Sequence, residues 1–167
     1  YAGITVACIL SLRLAGMSWF DAICHAFATM GLGGFSTHDA SYGFFDSALI
    51  EGVTIVFMLI AGINFATHFQ ACRERSARPY RMDPEAGMFV LITLASSVMI
   101  ACFLWSKGVY PEFMPALRFA SFNTVSIATT TGFSSTDFNL WPIFAPLWML
   151  FLCCFVSSSG STGGGIK

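Results

Sequence analysis

Residues 86–106 carry no charged side chain, and the stretch is long enough to cross the hydrocarbon core of a bilayer, which takes roughly 20 residues as a helix. In lipid every backbone N–H and C=O must find its partner within the protein, so such a segment folds as a helix. Residues 47–69 form a second span of sufficient length, interrupted by Glu51, Asn64 and His68. Residues 140–156 are apolar before they give way to a run of small residues at 157–165, and residues 1–14 have the character of the outer end of a truncated span. The composition agrees: the 167 residues are 56% hydrophobic and 10% charged, with a mean hydropathy of +0.71, whereas a soluble domain is about 25% charged. The expected fold is therefore an all-α membrane protein.

Two shorter segments, 18–29 and 115–128, have helical composition but too few residues to cross. Each ends in small residues, and non-helical backbone at membrane depth persists only where it is buried in protein or lines a water-filled cavity. Both are expected to be re-entrant helices. Orientation follows from the basic residues. Arg73, Arg75, Arg78 and Arg81 are half of the eight Lys and Arg and lie between two spans, which places linker 70–85 in the cytoplasm. The re-entrant segments then enter from the outer face.

The two halves also match in sequence. A shift of 98 residues superposes Gly34-Phe35-Ser36-Thr37-His38-Asp39 on Gly132-Phe133-Ser134-Ser135-Thr136-Asp137, with four of the six positions identical. The order span, short helix, Gly-Phe loop, span recurs at the same offset, and internal repeats are common in transport proteins. The expected organisation is a first unit at 1–69, the basic linker at 70–85 and a second unit at 86–167.

A re-entrant helix delivers its C-terminal end, carrying about half a negative charge, to the middle of the membrane, where it favours a cation. The residues that follow are Gly31-Leu32-Gly33-Gly34-Phe35 and Thr129-Thr130-Thr131-Gly132-Phe133. Run extended, with their carbonyls aimed at a common axis, they can replace the hydration shell of a monovalent cation. Glycine reaches backbone angles closed to other residues, and threonine adds a hydroxyl ligand or a hydrogen bond to a neighbouring strand. Neither stretch holds a carboxylate, which argues against a hard divalent ion. Asp39 and Asp137 follow at equal spacing, to concentrate cations at the outer mouth or, for Asp137 in particular, to cap local backbone N–H groups.

Thr-Thr-Thr-Gly-Phe after a short helix resembles the filter of the TrkH/KtrB/HKT superfamily of potassium transporters. Residues 31–39, residues 129–133 and the run Gly160-Ser161-Thr162-Gly163-Gly164-Gly165-Ile166-Lys167 carry the resemblance, which covers the whole chain. It implies four span, pore-helix, span repeats around one pore, of which the second and third are present here. It implies potassium, or sodium, as substrate; a bacterial inner-membrane location; a homodimer; and a cytoplasmic nucleotide-binding (TrkA-like) regulatory subunit. Neither the homodimer nor the subunit is written in the residues themselves. It also implies that residues 160–165 form a loop that interrupts the last span and lies beneath the filter as a gate, with Lys167 just beyond it. Lys167 would repel cations in the closed state or anchor the loop to an acidic neighbour. The matching segment around Asn64 is more helical, so the break is expected in one repeat only.

Other classes fit the residues less well. Ser159 or Ser161 with His68 as base would make an intramembrane serine hydrolase, but no G-x-S-x-G elbow is present. Gly160 and Gly164 form a G-x-x-x-G that can serve helix packing alone, and a scaffolding membrane protein would have no ion path. A P-loop is ruled out because Ile166 separates Gly165 from Lys167. The six cysteines show no C-x-x-C, the histidines His25, His38 and His68 are scattered, and the net charge is −1. No metal site, cofactor, enzymatic activity or nucleic-acid partner is expected. Glu51 and His68 are expected at the membrane interface, Asn64 in a helix contact or the inner vestibule, and Arg118 beside Glu112 or a lipid headgroup.

Overall fold

The computed structural model describes residues 1–155 and 158–166, and among these it is helical throughout its regular elements. Helices α1 (Ala2–Leu14), α2 (Trp19–Met30), α3 (Ala48–Gly62) and α4 (Phe65–Glu74) make the first unit. The short α5 (Arg78–Met82) leads into α6 (Pro84–Ser106), α7 (Phe113–Ala128) and α8 (Phe144–Phe155). Local chemistry sets the starts. The Ser18 side chain caps α2 by accepting from the Asp21 N–H at 3.0 Å, and Asp83 caps α6 through the Ala86 N–H at 3.2 Å with Pro84 in the first turn. Helix α7 starts two residues before the expected Pro115 because Glu112 already holds extended backbone.

Helix α6 is long and apolar enough to cross a membrane unbroken. The expected second span, residues 47–69, is not one helix. It breaks at Ile63 and Asn64, and α4 leaves α3 at 94°. The cause is local: Ile63 takes extended backbone (ψ 151°), and the Asn64 side chain accepts from the Ala66 N–H at 2.8 Å to start a new helix. Gly62 precedes the bend, and a Cβ built there would run into the Phe89 ring of α6. The sequence leads one to expect a break in the later repeat only; the earlier repeat breaks at the matching register, Gly62 corresponding to Gly160 at the 98-residue offset.

Helix α2 packs between α1 and α3, α7 packs against α6 and α8, and α3 also packs against α7, joining the two units. Phe122, Val125 and Phe133 of the second unit belong to the core built mainly by the first, beside Met30, Tyr42 and Met58. A second core gathers Ile100, Leu104, Ala120, Trp141 and Met149.

The contact between units also carries a buried charge. Arg118 on α7 meets Glu51 of α3 through two hydrogen bonds, 3.0 and 2.8 Å, and Asp46 through a third at 2.8 Å. Glu51 is 3% exposed. It lies in the first turn of α3 with Arg118 as its partner, and the expected Arg118–Glu112 or lipid pairing is replaced by Glu51 and Asp46. Folding brings carboxylates 67 and 72 residues away onto α7.

Candidate functional site

Helices α2 and α7 end at the same register, and the loops after them share one backbone pattern. Gly31 and Thr129 are right-handed helical (φ −83° and −80°), Leu32 and Thr130 are left-handed (φ 48° and 61°), and Gly34 and Gly132 are again at positive φ (68° and 91°). These are not the extended strands expected. They alternate in hand, the arrangement that puts N–H groups on one side of the backbone and carbonyls on the other. Glycine meets the requirement freely at Gly34 and Gly132. Leu32 and Thr130 hold it at a cost of order 1–3 kcal/mol each, the kind of strain that concentrates at functional sites.

The two loops touch. A methyl group built on Gly34 would run into the carbonyl oxygen of Thr131, so Gly34 permits a backbone-to-backbone approach between the repeats. Tyr42 and Gly43 donate their N–H groups to the Ser134 carbonyl at 2.9 and 3.3 Å, and the Ser134 N–H donates back to Ser41 Oγ at 3.3 Å.

The threonine hydroxyls divide into two roles. Thr129 and Thr131 are buried, their hydroxyls 2.7 Å from one another, and Thr129 Oγ1 donates to the Val125 carbonyl at 2.8 Å. Those two brace the loop on its helix. Thr130 Oγ1 instead accepts from the Gly164 N–H at 2.6 Å. The Phe133 carbonyl accepts from Ser126 Oγ at 2.7 Å, which turns it back onto α7 and away from the part assigned to it by sequence. The Phe133 ring is fully buried 4.7 Å from Tyr42 and 5.8 Å from His25, whereas Phe35 is 80% exposed. His25 itself is held by the Asp21 carbonyl and Ser36 Oγ, at 2.8 and 2.9 Å.

The small-residue run lies directly under this pair of loops. Thr162 Oγ1 donates to the carbonyls of Met30 (3.0 Å) and Ala61 (3.4 Å), reaching the first repeat, while Gly164 reaches Thr130 of the second. Gly163 is buried, its N–H directed at Ser161 Oγ (3.3 Å), and the Ile166 N–H donates to the Cys154 carbonyl at 2.9 Å. Gly160 (φ 75°) and Gly165 (φ 100°) need the left-handed region. The two breaks meet: the Phe65 N–H donates to the Gly160 carbonyl at 3.3 Å, and the Asn64 amide lies against the Gly160 α-carbon. Asn64 therefore caps α4 and abuts the loop. The Ser159 N–H donates to Glu85 Oε2 at 3.1 Å. Lys167 lies outside the described residues, as do Val156 and Ser157.

Asp39 and Asp137 line one recess of about 530 Å³ together with Ser134, Thr136 and Asn139. Asp137 Oδ1 accepts from the Asn139 backbone and amide N–H groups at 3.0 and 2.9 Å, the local capping expected of it, on the turn Phe138–Leu140 that follows the loop. The hydrolase alternative loses its base. His68 Nε2 bonds the Ile60 carbonyl at 2.8 Å and must be the N–H side, leaving Nδ1 to accept from Tyr80 Oη at 2.7 Å.

Two helices that end at the same register, alternating-hand loops after them and a small-residue loop bonded to both belong to an all-α membrane protein built from a repeated unit. The family of cation transport proteins known as TrkH matches residues 1–167, and the chain belongs to that family. It is 49% identical over its whole length to the Trk system potassium uptake protein TrkH of Halomonas elongata and 44% identical to that of Escherichia coli strain K12. It spans about a third of those relatives, 34% and 35% of their lengths. The crystal structure of the potassium transporter TrkH from Vibrio parahaemolyticus superposes with a TM-score of 0.94 at 43% identity, over 99% of this chain and 36% of that one.

Proposed function

We propose that this chain forms the second and third repeats of a four-repeat pore that takes up potassium across a bacterial inner membrane. Residues 31–34 and 129–132 supply two of the four filter loops, and residues 160–165 form the gate. The observation that carries this is the matched run of left-handed residues, Leu32 with Gly34 and Thr130 with Gly132, just past the C-terminal ends of two helices at the same register of the repeat. Carbonyls on one side of such loops, beside two helix C-termini, suit a monovalent cation. The names of the relatives support potassium as that cation. No step in this reading breaks a covalent bond, so it describes a transporter and not an enzyme. The homodimer, the regulatory nucleotide-binding subunit and the cytoplasmic place of linker 70–85 belong to the same proposal.

The test is uptake by the full-length protein with Gly132→Val. A Cβ at Gly132 would meet no atom within 4 Å, so a small side chain would fit the space and be opposed by the φ of 91° alone. Valine, branched at Cβ, is strongly disfavoured at that φ, further from the left-handed basin than the 61° of Thr130, and should re-aim the carbonyls. The variant should insert into the membrane and fail to support growth of a strain that depends on it at low potassium. Growth and uptake equal to wild type would remove the filter assignment.

A further inference from the structure

Two of the bonds beneath the filter share a polarity. Met30 is the last residue of α2, so its carbonyl lacks a helical partner and stands at the negative end of the helix; it accepts from Thr162 Oγ1 at 3.0 Å. Thr130 Oγ1, on the innermost left-handed residue of the other loop, accepts from the Gly164 N–H at 2.6 Å. One oxygen comes from each repeat, and both face the small-residue loop. On the filter reading, these are the oxygens that the innermost cation would use.

We propose that the closed loop acts as an internal stand-in for a cation: its Thr162 hydroxyl and Gly164 N–H occupy the oxygens of the innermost position, so loop closure and cation binding there exclude one another. A carbonyl or hydroxyl oxygen presents the same lone pairs to a hydrogen-bond donor as to a metal ion. With a donor in place, a cation arriving at that position meets the positive end of an N–H or O–H dipole. A Cβ on Gly164 would lie in ordinary contact with Thr130, 3.4 Å from its Oγ1, so the bond between the two residues is set by the path of the loop and not by glycine alone. Linkage then requires that whatever factor closure takes from cation affinity, the cation takes from closure. Cytoplasmic or filter potassium thus opens its own gate, and a cation too large for the position leaves it shut.

This inference rests on the filter reading, and the experiment separates the two. Amide hydrogen exchange of residues 158–166 is measured on the full-length protein in nanodiscs without any regulatory subunit, in potassium and in N-methylglucamine. Exchange of the Gly164 amide should be about two- to tenfold faster in potassium, the range set by losing one net hydrogen bond of ordinary strength. Thr162→Val should raise exchange in N-methylglucamine and flatten the difference between the two cations, and Thr162→Ser, which keeps the hydroxyl, should restore it. Equal exchange in the two cations, or slower exchange in potassium, overturns the proposal whether or not the valine variant folds, because the wild-type comparison stands alone. If Gly132→Val in the same preparation also transports like wild type, the filter reading has fallen with it. If Gly132→Val is inactive, only the competition is wrong.

Discussion

Thr130 holds φ 61° although it is branched at Cβ, and Leu32 holds φ 48° at the same place in the other repeat. Neither could be foretold from residue preferences, because left-handed backbone is read in a sequence from glycine, asparagine and aspartate. The glycines were legible, and Gly34 and Gly132 do take the left-handed region. They differ in surroundings: Gly34 faces the Thr131 carbonyl, and Gly132 faces open space. Alanine at Gly132 therefore meets only the backbone penalty, roughly 1–2 kcal/mol, whereas alanine at Gly34 must also push the two loops apart. Thermal unfolding of the full-length protein should show Gly34→Ala as the more damaging variant, with the larger loss of uptake. Equal midpoints for the two variants would mean that the loops do not touch in the assembled pore.

At the level of elements, the sequence announced where helices would run and where the later span would break, but not the break in the earlier one. The apolar stretch 47–69 has the length of a span, and what divides it is one side chain, Asn64, spent on capping α4, together with Gly62 against Phe89. A cap inside an apolar run reads equally well as an interhelical hydrogen bond. The glycine run at 163–165 was legible because poor helix propensity accumulates over neighbours, about 0.8–1.0 kcal/mol for each glycine against alanine. The bonds of Thr162 to Met30 and of Gly164 to Thr130 were not, since they join positions 132 and 34 residues apart. Deleting residues 163–165 from the full-length protein removes the donor to Thr130 and shortens the loop. Basal cation flux in proteoliposomes should rise and lose its dependence on the regulatory subunit while ion preference is kept. Flux at the closed wild-type level, in a protein that elutes and melts normally, would make the run a packing motif.

Across the whole molecule, two repeats of one plan are joined by the α3–α7 contact, by the Ser134 bonds to residues 41–43 and by Arg118 with Glu51. The repeat was visible as four identities at an offset of 98 residues; the ion pair was not, because its partners are distant in sequence and Glu112 is the nearer carboxylate. Glu51 is buried and Asp46 has a side chain 76% exposed. Removing the charge with Glu51→Gln leaves the part-buried Arg118 with its exposed partner alone, and should cost about 3 kcal/mol. Asp46→Ala should cost less than about 1 kcal/mol. Similar losses from the two, measured by denaturant titration in detergent, would show that the pair is solvated in the assembled protein. If the two alternating-hand loops line a cation path, crystals of the full-length protein grown with thallium, a potassium-sized cation, will show it by anomalous diffraction. Anomalous peaks are expected on the axis beside residues 31–34 and 129–132. Thallium peaks confined to other parts of a transport-active protein, with none between those loops, would contradict it.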